Sequence, residues 1–255
     1  MKKTTHKTSW DPVASWYDEL LSGEETYQAK VILPNVLRLL PGKGKHIIDI
    51  ACGQGFFSRE YANTGATVLG IDISPELIQR AREQKIPNAQ FEVASASRME
   101  KAETNGFDGA IIILALQNIE DMQGTFAEAA RVLKQHGTLV IVLNHPCFRI
   151  PKASAWGYDE GMKVQYRRIE RYGIPFSVKI DMRPGKKQAE DKAHTTSFHR
   201  PLQEYMKALA KAGFTLAGLE EWISHKKSEP GARASAEDTA RKEFPLFLAL
   251  VARKT

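Results

Sequence analysis

Short, almost wholly apolar runs alternate along this chain with stretches whose apolar positions recur every three or four residues. Residues 46–50 (HIIDI), 67–71 (TVLGI), 91–93 (FEV), 107–114 (FDGAIIIL) and 137–143 (GTLVIVL) have the length and composition of buried strands. Between them, 56–64, the segment opened by Ser74-Pro75-Glu76, and 125–134 read as helices. Ser74 is placed to cap its helix and Pro75 to occupy the first position, where a missing N–H costs nothing. Ahead of the first strand, Val31, Ile32, Val36, Leu39 and Leu40 give 25–40 a helical period that Pro41-Gly42 ends. Pro34 should kink that helix or begin a new segment. Residues 11–21 (DPVASWYDELL) predict a short helix with Asp11 as N-cap, behind a loose basic tail of about ten residues.

After 143 the pattern changes. Residues 163–172, 176–182 and 193–199 look extended, with turns at 173–175 and 183–187, and predict a small antiparallel lid inserted after the fifth strand. A helix over 201–212 ended by Gly213, a strand over 214–222 and a last strand over 244–252 close the chain. The polar stretch 225–242, with Pro230-Gly231, should be mobile. The expected divisions are a helical cap over the active site (1–45), a core (46–143), a substrate lid (144–200) and the closing helix and strands (201–255).

With 255 residues, 42% of them hydrophobic, the chain fits one large domain or one domain carrying an insertion. No apolar run is long enough to span a membrane, and the basic N-terminus has no apolar stretch behind it to make a signal peptide. Cys52 and Cys147 lack metal-type spacing, the seven histidines form no H-x-x-x-H pair, and a reducing cytoplasm and no metal are expected. The net charge is +6. Twelve basic and six acidic residues lie between His145 and Arg200, so that segment alone carries a surplus equal to the whole chain's. An anionic partner there and a merely solvated basic face are both compatible with it.

The strongest chemical signal lies at the end of the first strand. Residues 46–72 make one βαβ unit whose turn carries Gly53 and Gly55, with acids at Asp49 and, 23 positions later, at Asp72. That offset suits an acid that reaches a ribose hydroxyl. The dinucleotide fingerprint is incomplete, because Phe56, Phe57 and Ser58 follow where a third glycine belongs. Asp49 beside the turn would repel a pyrophosphate and favour a cationic ligand.

The run D-I-A-C-G-Q-G from Asp49 to Gly55 resembles the first motif of class I S-adenosylmethionine-dependent methyltransferases, and G-I-D-I-S-P-E-L-I from Gly70 to Ile78 resembles their second. The chain looks like a small-molecule, type 11/25-like member. The resemblance implies an α/β, doubly wound, Rossmann-like sheet of seven mostly parallel strands with the closing pair as its antiparallel edge. It implies S-adenosylmethionine as cofactor, S-adenosylhomocysteine as product, and a cofactor site at Asp49, Ala51, Cys52, Gly53, Gly55, Asp72, Ile73, Ser95, Ala96 and Leu114. Ile73 would pack on adenine. Ser95 stands where the family usually has an Asp for the adenine amine, a neutral contact that should be weaker. Gln117 and Asn118 stand where the family often has two histidines. Neither amide takes a proton at neutral pH, which removes the most obvious base. The segment around Trp16 and Tyr17 resembles an aromatic stretch that covers the cofactor's methionine end, which makes Tyr17 a candidate for both catalysis and substrate contact.

Candidates for the acceptor site are Tyr17, Gln117, Asn118, Asn144, His145, Tyr166, Arg168, Tyr172, His194, His199 and Arg200. Imidazole is best matched to proton transfer near neutrality, so His145 and then His199 are the expected base or orienting group. Packing of the lid and a helix-entry turn would explain the same two histidines. The leading expectation is methyl transfer to an oxygen, nitrogen or carbon of a small molecule, an anionic or phenolic one included, by a monomer or homodimer. Methylation of RNA or protein through the basic insertion, and a non-catalytic cofactor-binding subunit, remain as alternatives.

Overall fold

The structure is a computed structural model that describes residues 10–11, 23, 25–182 and 194–255. One π-helical turn (Gln28–Ile32) leads into α1 (Leu33–Leu39). Pro34 therefore stands at the start of a new segment, where its ring needs no preceding helical turn. The chain continues through β1 (His46–Ile50), α2 (Phe56–Asn63), β2 (Thr67–Asp72), α3 (Pro75–Glu83), β3 (Ala89–Val93), β4 (Phe107–Ile113), α4 (Met122–Val132) and β5 (Leu133–Asn144). Two hairpins follow, β6 (Ser154–Asp159) with β7 (Val164–Ile169), and β8 (Phe176–Asp181) with β9 (His194–His199). Then come α5 (Leu202–Lys211), β10 (Phe214–Trp222), α6 (Ala234–Glu243) and β11 (Phe247–Lys254).

Seven strands form one sheet in the order β10-β11-β5-β4-β1-β2-β3. Strands β1 to β5 are mutually parallel. β11 runs antiparallel to both β5 and β10, so the reversed strand lies one position in from the edge and β10 is the edge itself. The sequence reason is the two-residue period within each apolar run. Ile47, Ile111, Val140 and Ala249 point into one core with α1, α2 and α3, whereas Ile48, Ile112, Ile141 and Leu250 point into the other with α4 and α5. Small residues let the layers close: a Cβ on Gly109 would stand 2.8 Å from the Leu40 side chain.

Three expectations change. Residues 25–40, expected within a cap over the site, pack on the sheet face, with Val36 and Leu40 fully buried and the Tyr61 hydroxyl donating to the Leu40 carbonyl at 2.9 Å. The stretch expected to be mobile contains α6, which buries little besides Ala240. The insertion has an additional strand, β6, paired along its whole length with β7. The expected lid is thus two separate hairpins. The predicted helix at 11–21 and the tail lie outside the described residues, apart from Trp10 and Asp11. No described helix is long and apolar enough to cross a membrane.

Candidate active site

The chain runs from β1 outward to β2 and β3, then returns to β4 on β1's other side. The carboxyl ends of β1 and β4 therefore diverge into a crevice. The turn after β1 is held open by unusual backbone: φ is 62° at Ala51, 57° at Gly53 and 85° at Gly55. Gly55 is doubly constrained, because a Cβ there would lie 2.9 Å from the Phe91 ring. The Cys52 amide donates to the Ile71 carbonyl at 2.9 Å, tying the turn to β2.

Both acids are buried. Asp72 accepts the Gly53 amide on Oδ2 and the Ser74 amide on Oδ1, each at 2.9 Å. Asp49 accepts the Ser58 hydroxyl at 2.7 Å. Burial raises the carboxyl pKa of each, that of Asp49 to about 7, with the charge of Asp72 adding to the effect at Asp49. Burial first, then these two carboxylates, also push the Cys52 thiol up, which keeps it protonated and unreactive.

A cavity of about 340 Å³ opens at these strand ends. Its walls include Asp49, Ala51, Cys52, Gly53, Asp72, Ile73, Ser95, Ala96 and Leu114, nine of the ten residues expected at a cofactor. Gly55 is the exception; it starts α2 behind the wall. Ile73 is 53% exposed although it follows a strand, leaving a flat aliphatic surface towards the opening. Leu114 has φ 52° at the tip of β4, with its amide bonded to the Val142 carbonyl, so the chain leaves the sheet sharply and its next residues edge the cavity. The sequence did not single out Trp10, Phe56, Phe57, Leu77, Glu120 or Asp121, which also line it. The double phenylalanine after the glycine turn was the available signal for two of them.

The acceptor candidates separate. Asn118 lines the cavity, and its amide nitrogen donates to the Thr196 carbonyl of β9 at 3.0 Å. Gln117 turns back to the Leu114 carbonyl at 2.6 Å, and its own buried oxygen has no hydrogen-bond partner among the described residues. His145 is buried away from the cavity wall. Its Nδ1 accepts the Cys147 amide at 3.2 Å, which leaves the proton on Nε2 to face Glu221 at 2.7 Å. His199 is also buried and donates from Nε2 to the Tyr172 carbonyl at 2.8 Å. Burial, the largest influence on each, lowers both imidazole pKa values. Neither histidine lines the cavity, and each is bonded to another protein group. Tyr166 is exposed on β7 opposite Gly157, and exposed Arg168 pairs with Glu170 at 2.9 Å, so neither reaches the cavity. Tyr17 lies outside the described residues. Arg200 instead braces the cavity loop, donating to the Ile119 and Glu120 carbonyls at 2.8 Å.

A methyltransferase domain model matches residues 48–141. The Bacillus subtilis protein YqeM, whose name places it among methyltransferases, is 33% identical over 221 residues, covering 80% of this chain and 85% of its own. The chain belongs to the class I S-adenosylmethionine-dependent methyltransferases. A solved S-adenosylmethionine-dependent methyltransferase from Mesorhizobium loti superimposes with a TM-score of 0.69 at 26% identity, covering 91% of this chain and 99% of that one. A demethylmenaquinone methyltransferase of Tropheryma whipplei is 35% identical over 106 residues, 40% of this chain and 44% of the relative. The chain spans about half the length of such first-matching curated relatives. The cavity has features that fit the family's cofactor: two buried carboxylates at its wall and the exposed aliphatic surface of Ile73 at its opening. Among the described residues no group of three His, Cys, Asp or Glu is placed to hold a metal.

Proposed function

We propose that this protein transfers a methyl group from S-adenosylmethionine to a small molecule. The observation that carries the reading is the pair of buried carboxylates, Asp49 and Asp72, around a glycine turn that opens into the cavity. Asp72 keeps one lone pair per oxygen after binding two amides, enough to accept two ribose hydroxyls. Asp49 balances positive charge at the methionine end. Ile73 and Leu77 pack against adenine, while Ser95 accepts from its amine. When bound, the cofactor supplies an electrophilic methyl on a good, neutral leaving group.

The chain's own residues then hold an acceptor lone pair in line at about 3–3.5 Å and keep water out. Asn118 and the loop edge at Ala115 and Ile119 are the described groups beside that position. With His145 and His199 engaged elsewhere, the reading rests on positioning and on an acceptor that is itself nucleophilic. The names of the curated relatives, which include ubiquinone biosynthesis O-methyltransferases, support a small acceptor. Two measurements test the proposal. Calorimetry should show S-adenosylhomocysteine binding to the full chain, and a panel of phenols, amines and carboxylates should yield S-adenosylhomocysteine from labelled cofactor. Absence of binding would overturn the reading.

A further inference from the structure

Ser74 is fully buried between β2 and α3, and each of its polar groups is engaged. Its amide donates to Asp72 at 2.9 Å, its carbonyl accepts the Ile78 amide at 3.1 Å, and its Oγ accepts the Leu77 amide at 3.2 Å as the N-cap of α3. A capping hydroxyl that accepts an amide still has its own proton to give. Here the proton goes to Asp11, whose Oδ1 lies 2.5 Å from Ser74 Oγ, the length of a hydroxyl donated to a carboxylate. The partners are 63 positions apart, so this bond ties the chain ahead of the sheet to the turn after β2.

Trp10 precedes Asp11, is partly buried, and forms part of the cavity wall. Consecutive Cα atoms stand about 3.8 Å apart. The bond to Ser74 therefore sets Trp10 down beside Asp72 and Ile73, which come just before Ser74, and beside Leu77 in the first turn of α3. These three residues line the same cavity. Ile73 turns an exposed aliphatic surface to the opening. An indole facing that surface completes a slot with two apolar walls, the shape that takes a flat heteroaromatic ring. Asp72 stands at the end of the slot where ribose hydroxyls would follow.

We propose that Trp10 covers the adenosine half of the cofactor against Ile73, and that Asp11 holds it there through Ser74. This rests on the methyl-transfer reading and adds to the site a wall that the sheet itself does not supply. Trp10 is then a cofactor-binding residue, and Asp11, acting through it, a positioning residue. One serine serves both sides of the slot, since its amide fixes Asp72 and its hydroxyl fixes Asp11.

The test is calorimetry on the full chain with two ligands, S-adenosylhomocysteine and methylthioadenosine, which keeps the adenosine but lacks the amino-acid part. Trp10→Ala should weaken both by the same factor, about tenfold or more, the scale of stacking one base on an aromatic ring. Trp10→Phe should lose less. Asp11→Ala should lose about threefold to tenfold on both ligands, the scale of one hydrogen bond, and Asp11→Asn, which keeps an acceptor oxygen, should recover most of it. A readout without ligand follows Trp10 itself. Its fluorescence, taken as the difference between chains with Trp10 and with Trp10→Phe, should be more readily quenched by acrylamide when Asp11→Ala is present. Wild-type affinity for both ligands in Trp10→Ala overturns the cover, and so does a loss confined to S-adenosylhomocysteine, which would put the indole at the amino-acid end. Unchanged acrylamide quenching in Asp11→Ala overturns the role of Asp11. Should Trp10→Ala fail to fold, the affinities of Trp10→Phe and the quenching of Trp10 fluorescence by methylthioadenosine decide in its place. Failure of both ligands to bind wild type overturns the methyl-transfer reading instead, and the acrylamide measurement then judges the bond between Asp11 and Ser74 by itself.

Discussion

Asp72 at the end of β2 accepts the Gly53 amide from the β1 turn at 2.9 Å. One side chain thereby fixes the shape of the turn and presents its remaining lone pairs to the cavity. The same carboxylate holds the Ser74 amide, at the N-cap of α3, so three consecutive parts of the βαβα unit converge on it. Asp72→Ala should therefore fail in two ways. Two buried amides lose their acceptor, which costs roughly 2–5 kcal/mol of stability. Losing two hydroxyl contacts should lower S-adenosylhomocysteine affinity by about a hundredfold or more. Denaturant melts and calorimetry on the same preparation separate the effects; an affinity within twofold of wild type would remove Asp72 from the binding site.

Asp49 gives the site a pH dependence of predictable sign. Its carboxyl pKa in the fold, about 7, is above the ordinary Asp value because burial penalises its charge. Between about pH 4 and 7 the folded chain then holds a proton that the unfolded chain has lost, so Asp49's contribution to stability is fully present at low pH and falls as pH rises through 7. Asp49→Asn should flatten that component of the stability profile. A cationic ligand reverses the preference by favouring the carboxylate. Affinity for S-adenosylmethionine should therefore rise from pH 6 to 8 with release of a proton, and Asp49→Asn should abolish the rise. A wild-type affinity independent of pH over that interval would contradict the placement of positive charge beside Asp49.

Much of this was legible before the fold was seen, for local reasons. The βαβ unit reads from adjacent residues, and nine of the ten expected cofactor residues line one cavity because their positions follow from strand ends and a glycine turn. The bonding of the histidines was not legible because their partners are distant in the chain: Glu221 is 76 positions from His145, and Tyr172 is 27 from His199. The α6 segment escaped because it is polar and rich in small residues, with little beyond Ala240 to mark a buried face. β6 escaped because Gly157 interrupts it, a glycine that gives space to the Tyr166 ring across the hairpin.

From its bonding, His145 is expected to act structurally. His145→Ala removes the acceptor of the Cys147 amide and the partner of Glu221 and leaves a void at the end of β5. A loss of about 1–3 kcal/mol is expected. Because burial holds its pKa below the ordinary histidine value, wild type should also lose stability as pH falls below about 6.5, and the variant should lack that component. S-adenosylhomocysteine affinity should be unchanged. A melt and a titration check both, and a normal melt with slowed methyl transfer would return His145 to the mechanism.

Arg200 joins the inserted segment to the rim of the cavity. Its Nη2 donates to the carbonyls of Ile119 and Glu120, and Asn118 beside them donates to Thr196 of β9. The loop that edges the cavity after β4 is thus tied to the residues that end the second hairpin. Arg200→Ala leaves two carbonyls without their charged donor, and about 1–3 kcal/mol of local order should go with them, discounted for partial exposure. Amide exchange at 115–121 should accelerate while the central strands β1 and β4 stay protected. Arg200→Lys should recover only part of this, since one ammonium cannot reproduce the two Nη2 bonds together with the Nη1 bond to the Leu116 carbonyl at 3.4 Å. If exchange at 115–121 is the same in Arg200→Ala as in wild type, the brace is not what holds the loop, and the bonds to Asn118 and within the 116–118 turn must suffice.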